Sequence, residues 1–291
     1  MAGAENGTGA SRRKPGAPRA SAIVRVRDKA ATLERTLSSL RRQTITPEII
    51  VVDSGSTDGG LEIAAPLCDR LIEIAPEEFT YGRALNIGAR TASAPIHFAL
   101  SAHCFPERDD WIERSLAHYA RDEVAATGGS GSLPDGRPLT RPFFQDAPHA
   151  RSNPLWGISN HASSWRASVW QEFPFDEELD YAEDKEWALR VLDAGWRIVF
   201  DPAISVDGSH AWHGGAGESF TRHRRANAAI SRFAELPRYG PRDLAREWWT
   251  EADDGNRPAW FNRFLNYRRW AGLAGKYVGR HRPARSSGGS A

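Results

Sequence analysis

The sequence predicts an α/β fold around a mostly parallel sheet, and three observations carry that expectation. Ile49, Ile50, Val51 and Val52 form an unbroken β-branched run with no alternation, which is how a strand buried on both faces reads. Upstream, the short apolar run Ile23, Val24 and Val26 is followed by Leu33, Leu37 and Leu40 at helical spacing. Strand, helix and strand then make a βαβ unit, which is right-handed almost without exception. The alternation repeats to about residue 127, as a layered α/β sheet requires.

Residues 1–20 are Gly, Ala, Ser, Pro and basic residues with almost no large apolar side chains, so they are expected to stay disordered. The first strand ends at Arg27-Asp28, and its helix runs to Arg41-Arg42-Gln43. Asp53 ends the second strand. Ser54, Gly55, Ser56 and Thr57 make a polar turn there, with Thr57 or Asp58 capping a helix through Leu61 and Ile63. A strand at 71–74 follows, then a helix with Leu85, Gly88, Ala89 and Ala92 on one face, where small residues allow close approach to a sheet. A strand at 96–100 runs into Ser101-Ala102-His103-Cys104, followed by a helix at 111–120 and a strand at 124–127. From Gly128 to about Trp156 the chain is rich in Gly, Pro, Ser and aromatics with no sustained period, the texture of a substrate-covering loop. A helix near 168–172 leads to an acidic approach from Asp176 to Asp184. Trp187, Val191 and Ala194 continue a helix, Gly195 ends it, and 198–200 form a strand. His210 and His213 lie in a Gly-rich segment, and from Phe220 the pattern is helical with dense Arg and Trp.

With 291 residues, 40% hydrophobic and 26% charged, the chain has an ordinary globular composition. No stretch approaches the roughly 18–20 apolar residues of a membrane span, and the N-terminus lacks the apolar core of a signal peptide, so a cytoplasmic protein is expected. Cys68 and Cys104 are the two cysteines, too few and too far apart for a disulfide framework or a four-cysteine zinc site. The net charge of +1 hides an asymmetry. Residues 256–291 carry eight basic and no acidic side chains, residues 1–20 four basic and one acidic, and the rest 26 basic against 36 acidic. An acidic body argues against nucleic acid as a partner, while a basic aromatic tail suits anionic membrane headgroups.

Four segments in order give the chain a resemblance. They are Val-Arg-Asp-Lys-Ala-Ala-Thr-Leu-Glu-Arg-Thr-Leu-Ser-Ser-Leu from Val26, Val-Asp-Ser-Gly-Ser-Thr-Asp-Gly from Val52, Tyr-Gly-Arg-Ala-Leu-Asn-Ile-Gly from Tyr81, and Glu-Asp-Lys-Glu-Trp-Ala-Leu-Arg from Glu183. Together they resemble family 2 glycosyltransferases of the GT-A fold, over about residues 21–215, and the Phe79–Asn86 segment looks most like the rhamnosyltransferase-like branch. The resemblance implies a Rossmann-like sheet flanked by helices and inverting transfer of a sugar from a nucleotide-diphosphate donor. It divides the chain into a tail at 1–20, a nucleotide-sugar-binding subdomain at 21–127, an acceptor and catalytic subdomain at 128–215, and a helical basic region at 216–291.

By position, the resemblance places Val26, Arg27, Asp28, Asp53 and Ser54 at the base and ribose, with Arg83, Asn86, Ser101 and Ala102 also on the donor side. Carboxylates suit that work because they accept hydrogen bonds from a base N–H or a ribose hydroxyl. Asp184 looks like the catalytic base, with Glu183 orienting the acceptor. Capping of the helix dipole is the bland alternative for that acidic pair, and backbone capping of a turn is the alternative for Asp53.

One departure stands out. Where the family carries Asp-x-Asp, or an aspartate within Ser-Gln-Asp-Ala, this chain has Ser101-Ala102-His103-Cys104. Imidazole ligates Mn²⁺ or Zn²⁺ but suits Mg²⁺ poorly, so the cation implied is Mn²⁺ rather than Mg²⁺, held by His103 with His213 or His210 as a further ligand. Stabilisation of the leaving group by Arg83 or a charged His103 stays open, as does a catalytically silent nucleotide-sugar-binding or scaffold protein. So does a metal hydrolase built on His103, His210 and His213. His97 reads as a core histidine. No Gln-x-x-Arg-Trp signature appears, since Arg222-His223-Arg224-Arg225 does not match it, so a single sugar is moved per event. The acceptor class stays wide: a glycan, a lipid-linked or a small-molecule hydroxyl. The aromatics Trp260, Phe261, Phe264, Leu265, Tyr267 and Trp270, interleaved with Arg263, Arg268, Arg269 and Lys276, fit a helix at the inner membrane face or, equally, packing on the domain.

Overall fold

The computed structural model describes residues 18–206, 215–236, 240–250 and 266–281. His210, His213, Trp260, Phe261, Phe264 and Leu265 lie outside the described residues, as does nearly all of the 1–20 tail.

An eight-stranded sheet organises the chain: β1 (Ser21–Val26), β2 (Glu48–Asp53), β3 (Arg70–Glu73), β4 (Ile96–Ser101), β5 (Val124–Gly128), β6 (Phe143–Gln145), β7 (Ala162–Arg166) and β8 (Arg197–Phe200), in the spatial order β3-β2-β1-β4-β7-β5-β8-β6. β1, β2, β3 and β4 pair in parallel, and β5 pairs in parallel with β8. β7 runs antiparallel between β4 and β5, and β6 antiparallel on the β8 edge. The mostly parallel sheet is therefore as expected, with two reversed strands.

Ten α-helices are described: α1 (Ala30–Arg41), α2 (Gly60–Ala64), α3 (Tyr81–Thr91), α4 (Trp111–Ala117), α5 (Ala147–Ser152), α6 (Ala167–Glu172), α7 (Glu183–Asp193), α8 (Ala216–Ile230), α9 (Pro241–Thr250) and α10 (Tyr267–His281). Successive residues of a strand point to opposite faces, so the unbroken apolar runs feed two cores. Ala22, Val24, Ile49 and Val51 pack with Leu33, Leu37 and Leu40 of α1 and with Trp111 and Ile112 of α4. Ile23, Ile50 and Val52 pack on the other face with Ala84, Leu85 and Ala89 of α3 and with Trp187 and Val191 of α7.

Local signals explain the helix ends. The Thr80 hydroxyl accepts from the Arg83 backbone N–H at 3.0 Å and starts α3. Gly195, at φ +94°, follows α7 in the left-handed region that favours glycine. Asp58 does more than cap its own helix, accepting from Gly60 N–H at 3.1 Å and from Ala30 N–H, the first residue of α1, at 2.8 Å.

The stretch from Gly128 to Trp156 corrects the expectation of one uninterrupted loop, because it contains β6 and α5. Three residues are too few to show an alternation, and Phe143-Phe144-Gln145 therefore reads as irregular from sequence. β7 was missed for another reason. Its centre, Ser163-Ser164, is polar yet buried, with the Ser164 hydroxyl hydrogen-bonded to Thr127 at 2.7 Å and to Tyr119 at 2.8 Å.

The close approach of α3 to the sheet rests on Gly88, where an added Cβ would lie 2.4 Å from Ile23 Cγ2. Gly88→Ala should therefore lower stability by about 1–3 kcal/mol through overpacking. Urea unfolding followed by circular dichroism measures this, and an unchanged midpoint would contradict the packing described.

Candidate active site at the carboxyl edge of the sheet

Strands β1, β2 and β4 end side by side at Val26, Asp53 and Ser101, and open α/β sheets take ligands at that edge. The β1 and β2 loops are knotted together there. Asp28 sits at φ +48°, a left-handed conformation uncommon for a non-glycine residue. Its Oδ1 accepts from Thr57 N–H at 2.8 Å, and its own N–H donates to the Ser56 hydroxyl at 2.9 Å. Asp53 is buried. Its Oδ2 accepts from Gly55 N–H at 2.8 Å and Ser56 N–H at 2.9 Å, and its Oδ1 from the Ser56 hydroxyl. A carboxylate has about four acceptor positions, so the turn uses most of what Asp53 offers and leaves part of Oδ1. Val26 gives its carbonyl to Ser54 N–H at 3.1 Å and to the Ser54 hydroxyl at 3.3 Å, and both residues are buried. Arg27 and Asp28 are the exposed members of this group.

A second cluster lies beside it. Arg25 leaves β1 almost buried, places Nη1 3.4 Å from Glu183 Oε1, and donates from Nη2 to the Asn160 carbonyl at 2.8 Å. Its guanidinium lies 5.2 Å from the Tyr81 ring centroid, a cation–π distance. Asn160 is the hub: its Nδ2 donates to Glu183 at 3.3 Å and its backbone N–H to Asp184 Oδ2 at 3.3 Å. Asp184 Oδ1 accepts from Lys185 N–H at 2.8 Å, while Lys185 Nζ is tied to the Gly157 carbonyl at 2.8 Å and to that of Ile158. Ala182, directly before the pair, is held at φ +64°. Glu183 is buried and Asp184 half-buried, so one carboxylate is sealed and the other meets solvent.

Burial first, and then the like charge of Asp184, push the Glu183 carboxyl up to about 7 despite Arg25. Tyr81, packed against the Phe79 and Tyr181 rings, is likewise raised by burial, and Arg222 of α8 is among the charges that act on it.

His103, at the end of β4, has its ring centroid 6.0 Å from that of His161. His161 follows Asn160, and its carbonyl accepts from Ser101 N–H at 2.8 Å. The Ala102 carbonyl accepts from the Thr32 hydroxyl at 2.8 Å. Among the described residues no three His, Cys, Asp or Glu side chains converge as a ready metal cage. Neither cysteine forms a disulfide, and Cys104 is buried.

Two of the residues expected on the donor side have partners within the protein. Asn86 is buried with every amide position used: Nδ2 donates to the Phe175 carbonyl at 2.8 Å and to Glu177 at 2.9 Å, and Oδ1 accepts from Trp170 Nε1 at 2.8 Å and Phe175 N–H at 3.1 Å. Nothing remains for a nucleotide. Arg83 points its head group between two carboxylate partners, Glu78 at 3.2 Å and Glu177 at 3.7 Å. Sequence reasoning missed Arg25, Asn160 and His161. Only Arg25 carried a signal, a lone charge inside an otherwise apolar strand.

The family described as Glycosyl transferase family 2 matches residues 21–162, which contain the β1 and β2 loops, His103, Asn160 and His161. Residues 21–162 carry the match to a family 2 glycosyltransferase domain. The chain is 28% identical over 206 residues to glycosyltransferase AglE of Haloferax volcanii, covering 66% of this chain and 67% of AglE. It is 29% identical over 196 residues to the O-antigen chain rhamnosyltransferase WbaN of Salmonella anatum, covering 59% of this chain and 60% of WbaN, less than two thirds of that relative. Among solved structures, mannosyltransferase PcManGT of Pyrobaculum calidifontis, in complex with GDP-Man and Mn²⁺, superposes with a TM-score of 0.64 at 18% identity, over 91% of this chain and 86% of PcManGT. At that identity the likeness concerns the fold, and it agrees with a GT-A glycosyltransferase sheet and a helical C-terminal region.

The helices after the glycosyltransferase domain pack on one another. α10 lies against α8 through glycines: a Cβ at Gly275 would stand 2.3 Å from the Phe220 carbonyl oxygen, and one at Gly279 2.4 Å from that of Arg224. Arg269 donates to the Trp248 carbonyl at 2.8 Å, and Lys276 pairs with Glu247. Tyr267, Trp270 and Trp249 are exposed. Among the described residues no helix is long and apolar enough to cross a membrane.

Two outcomes follow from this geometry. Asn86→Ala strips partners from Trp170 and Phe175 and should cost at least about 2 kcal/mol of stability in chemical denaturation, with nucleotide affinity of the folded protein unchanged. Lost nucleotide affinity at full stability would return Asn86 to the donor side. For Glu183 the folded carboxyl titrates above its unfolded value of 4.5, so its contribution is present below pH 4.5 and declines as pH rises towards 7. The melting temperature of Glu183→Gln, relative to the parent, should therefore rise between pH 5 and pH 8. A constant offset would mean that Glu183 is not held protonated.

Proposed function

We propose that the chain is an inverting, non-processive glycosyltransferase that moves one sugar from a nucleotide-diphosphate donor to an acceptor hydroxyl. The observation that carries this reading is the Asp184 carboxylate, half-exposed at the start of α7 and held by the N–H groups of Asn160 and Lys185. In a direct displacement the acceptor oxygen bonds to the anomeric carbon as the bond to the diphosphate oxygen breaks. The acceptor proton passes to Asp184, a general-base role that carboxylates fill. Glu183, buried and raised, holds Asn160 and Arg25 in place beneath it rather than meeting the acceptor.

The nucleotide is assigned to the β1 and β2 edge. Asp28 offers exposed acceptors for a base N–H or ribose hydroxyl, and Asp53 and Ser54 hold the turn that shapes that wall. Ser101 and Ala102 lie between this wall and His103, where the diphosphate would run. A divalent cation, when bound, supplies positive charge to the diphosphate leaving group. His103 is its first protein ligand in this reading, and PcManGT supports Mn²⁺ as the ion.

WbaN supports assembly of a cell-surface glycan as the setting, and exposed Trp249, Tyr267 and Trp270 beside a basic tail support peripheral contact with the inner membrane face. Single-sugar transfer is supported by Arg222-His223-Arg224-Arg225 in α8, which does not form a processive Gln-x-x-Arg-Trp signature.

Asp184→Asn should lower transfer by about 10²–10⁴-fold while leaving donor affinity near the parent's. Turnover with UDP-, GDP- and dTDP-sugars and isothermal titration of the same donors measure the two quantities. Parental turnover in that variant would remove Asp184 from the base role, and donor binding without turnover in the parent would leave a silent nucleotide-sugar-binding protein.

A further inference from the structure

We infer that His103 and His161 together form a two-imidazole cation site that makes this glycosyltransferase select Mn²⁺, Co²⁺ or Zn²⁺ over Mg²⁺. The inference rests on the proposed glycosyl transfer for its purpose, but not for its geometry. The two rings come from neighbouring chain segments at one sheet edge, His103 just beyond β4 and His161 just before β7, and the Ser101 N–H to His161 carbonyl bond of 2.8 Å fixes those segments to each other. Their ring centroids are 6.0 Å apart. A cation roughly 2.0–2.2 Å from a ring nitrogen lies about 3 Å from that ring's centre. Two rings at the observed separation are therefore at the outer edge of joint reach for one ion.

A second observation concerns orientation. His161 Nδ1 is hydrogen-bonded to the Ser159 hydroxyl at 2.7 Å. Metal-binding histidines commonly engage their other ring nitrogen in this way, which fixes the ring and directs Nε2 at the ion. The donor set decides the ion. Mg²⁺ demands hard oxygen ligands in a near-ideal octahedron, whereas imidazole suits later and softer divalent ions. Two nitrogens would leave the ion's remaining positions open to oxygen ligands such as diphosphate and water.

The test uses the full-length protein with Mn²⁺ alone and with Mn²⁺ plus UDP or GDP, read by ¹⁴N coupling in pulsed electron paramagnetic resonance and by calorimetric affinity. Two-imidazole coupling is expected in the parent and one-imidazole coupling in His103→Ala and in His161→Ala. Each should weaken Mn²⁺ binding by at least the roughly 10- to 100-fold that loss of an outer-shell partner costs. His103→Asp, which returns a hard oxygen donor to the site, should narrow the preference for Mn²⁺ over Mg²⁺. Thermal melts of each variant confirm folding.

Parental Mn²⁺ affinity in both alanine variants, absence of nitrogen coupling, or Mg²⁺ binding as tight as Mn²⁺ would overturn the site. Binding of UDP and GDP is followed on the same samples. Nucleotide binding without imidazole coupling sinks the cation site alone, whereas imidazole coupling without any nucleotide binding upholds it and sinks the transferase reading.

Discussion

The rest of the site depends on Arg25, a cation almost buried near the carboxyl end of β1. One guanidinium touches Glu183 of α7, the Asn160 carbonyl before β7 and the face of Tyr81 at the start of α3. Four pieces of chain far apart in sequence are registered by a single side chain. A buried ion pair gives little net stability, because desolvation offsets the attraction. Its physical effect here is positional: with Arg25 in place, Asn160 aims its N–H at Asp184, and the base candidate has one location.

This arrangement makes sense of two carboxylates side by side at a helix start. Both would profit from the helix dipole, yet they are treated differently. Glu183 is enclosed and its ionisation is made difficult, while Asp184 keeps access to solvent. Environment separates adjacent residues, one enclosed and leaning neutral, the other half-buried with access to solvent. The left-handed Ala182 turns the chain sharply enough for both to reach Asn160.

Much of the fold was legible because its signals are local. Ile49 to Val52 could only be a doubly buried strand, Gly88 could only face a close neighbour, and Gly195 marks the end of α7. What failed to read was non-local or chemically disguised. Ser163 and Ser164 sit in a buried strand whose polarity is answered by Thr127, Tyr119 and Asn160, partners that sequence order does not reveal. Within the site, Asp28, Asp53, His103, Glu183 and Asp184 were visible as residues at strand and helix ends, and the fold brings them to one edge. Asn86 and Arg83 were visible in a motif, but their contacts to the 175–177 segment, which tie α3 to it, were not. His161 had no motif around it, and only the antiparallel β7 places it beside His103.

The central claim is that one sugar nucleotide spans this edge, from the loops of Asp28 and Asp53 past His103 to Asp184. A crystal structure of the protein with an intact UDP- or GDP-sugar and Mn²⁺ tests it most directly. With one sugar nucleotide along this edge, the base and ribose lie against Asp28, the diphosphate beside His103, and the anomeric carbon faces Asp184. A nucleotide bound elsewhere, or one whose sugar points away from Asp184, would contradict it.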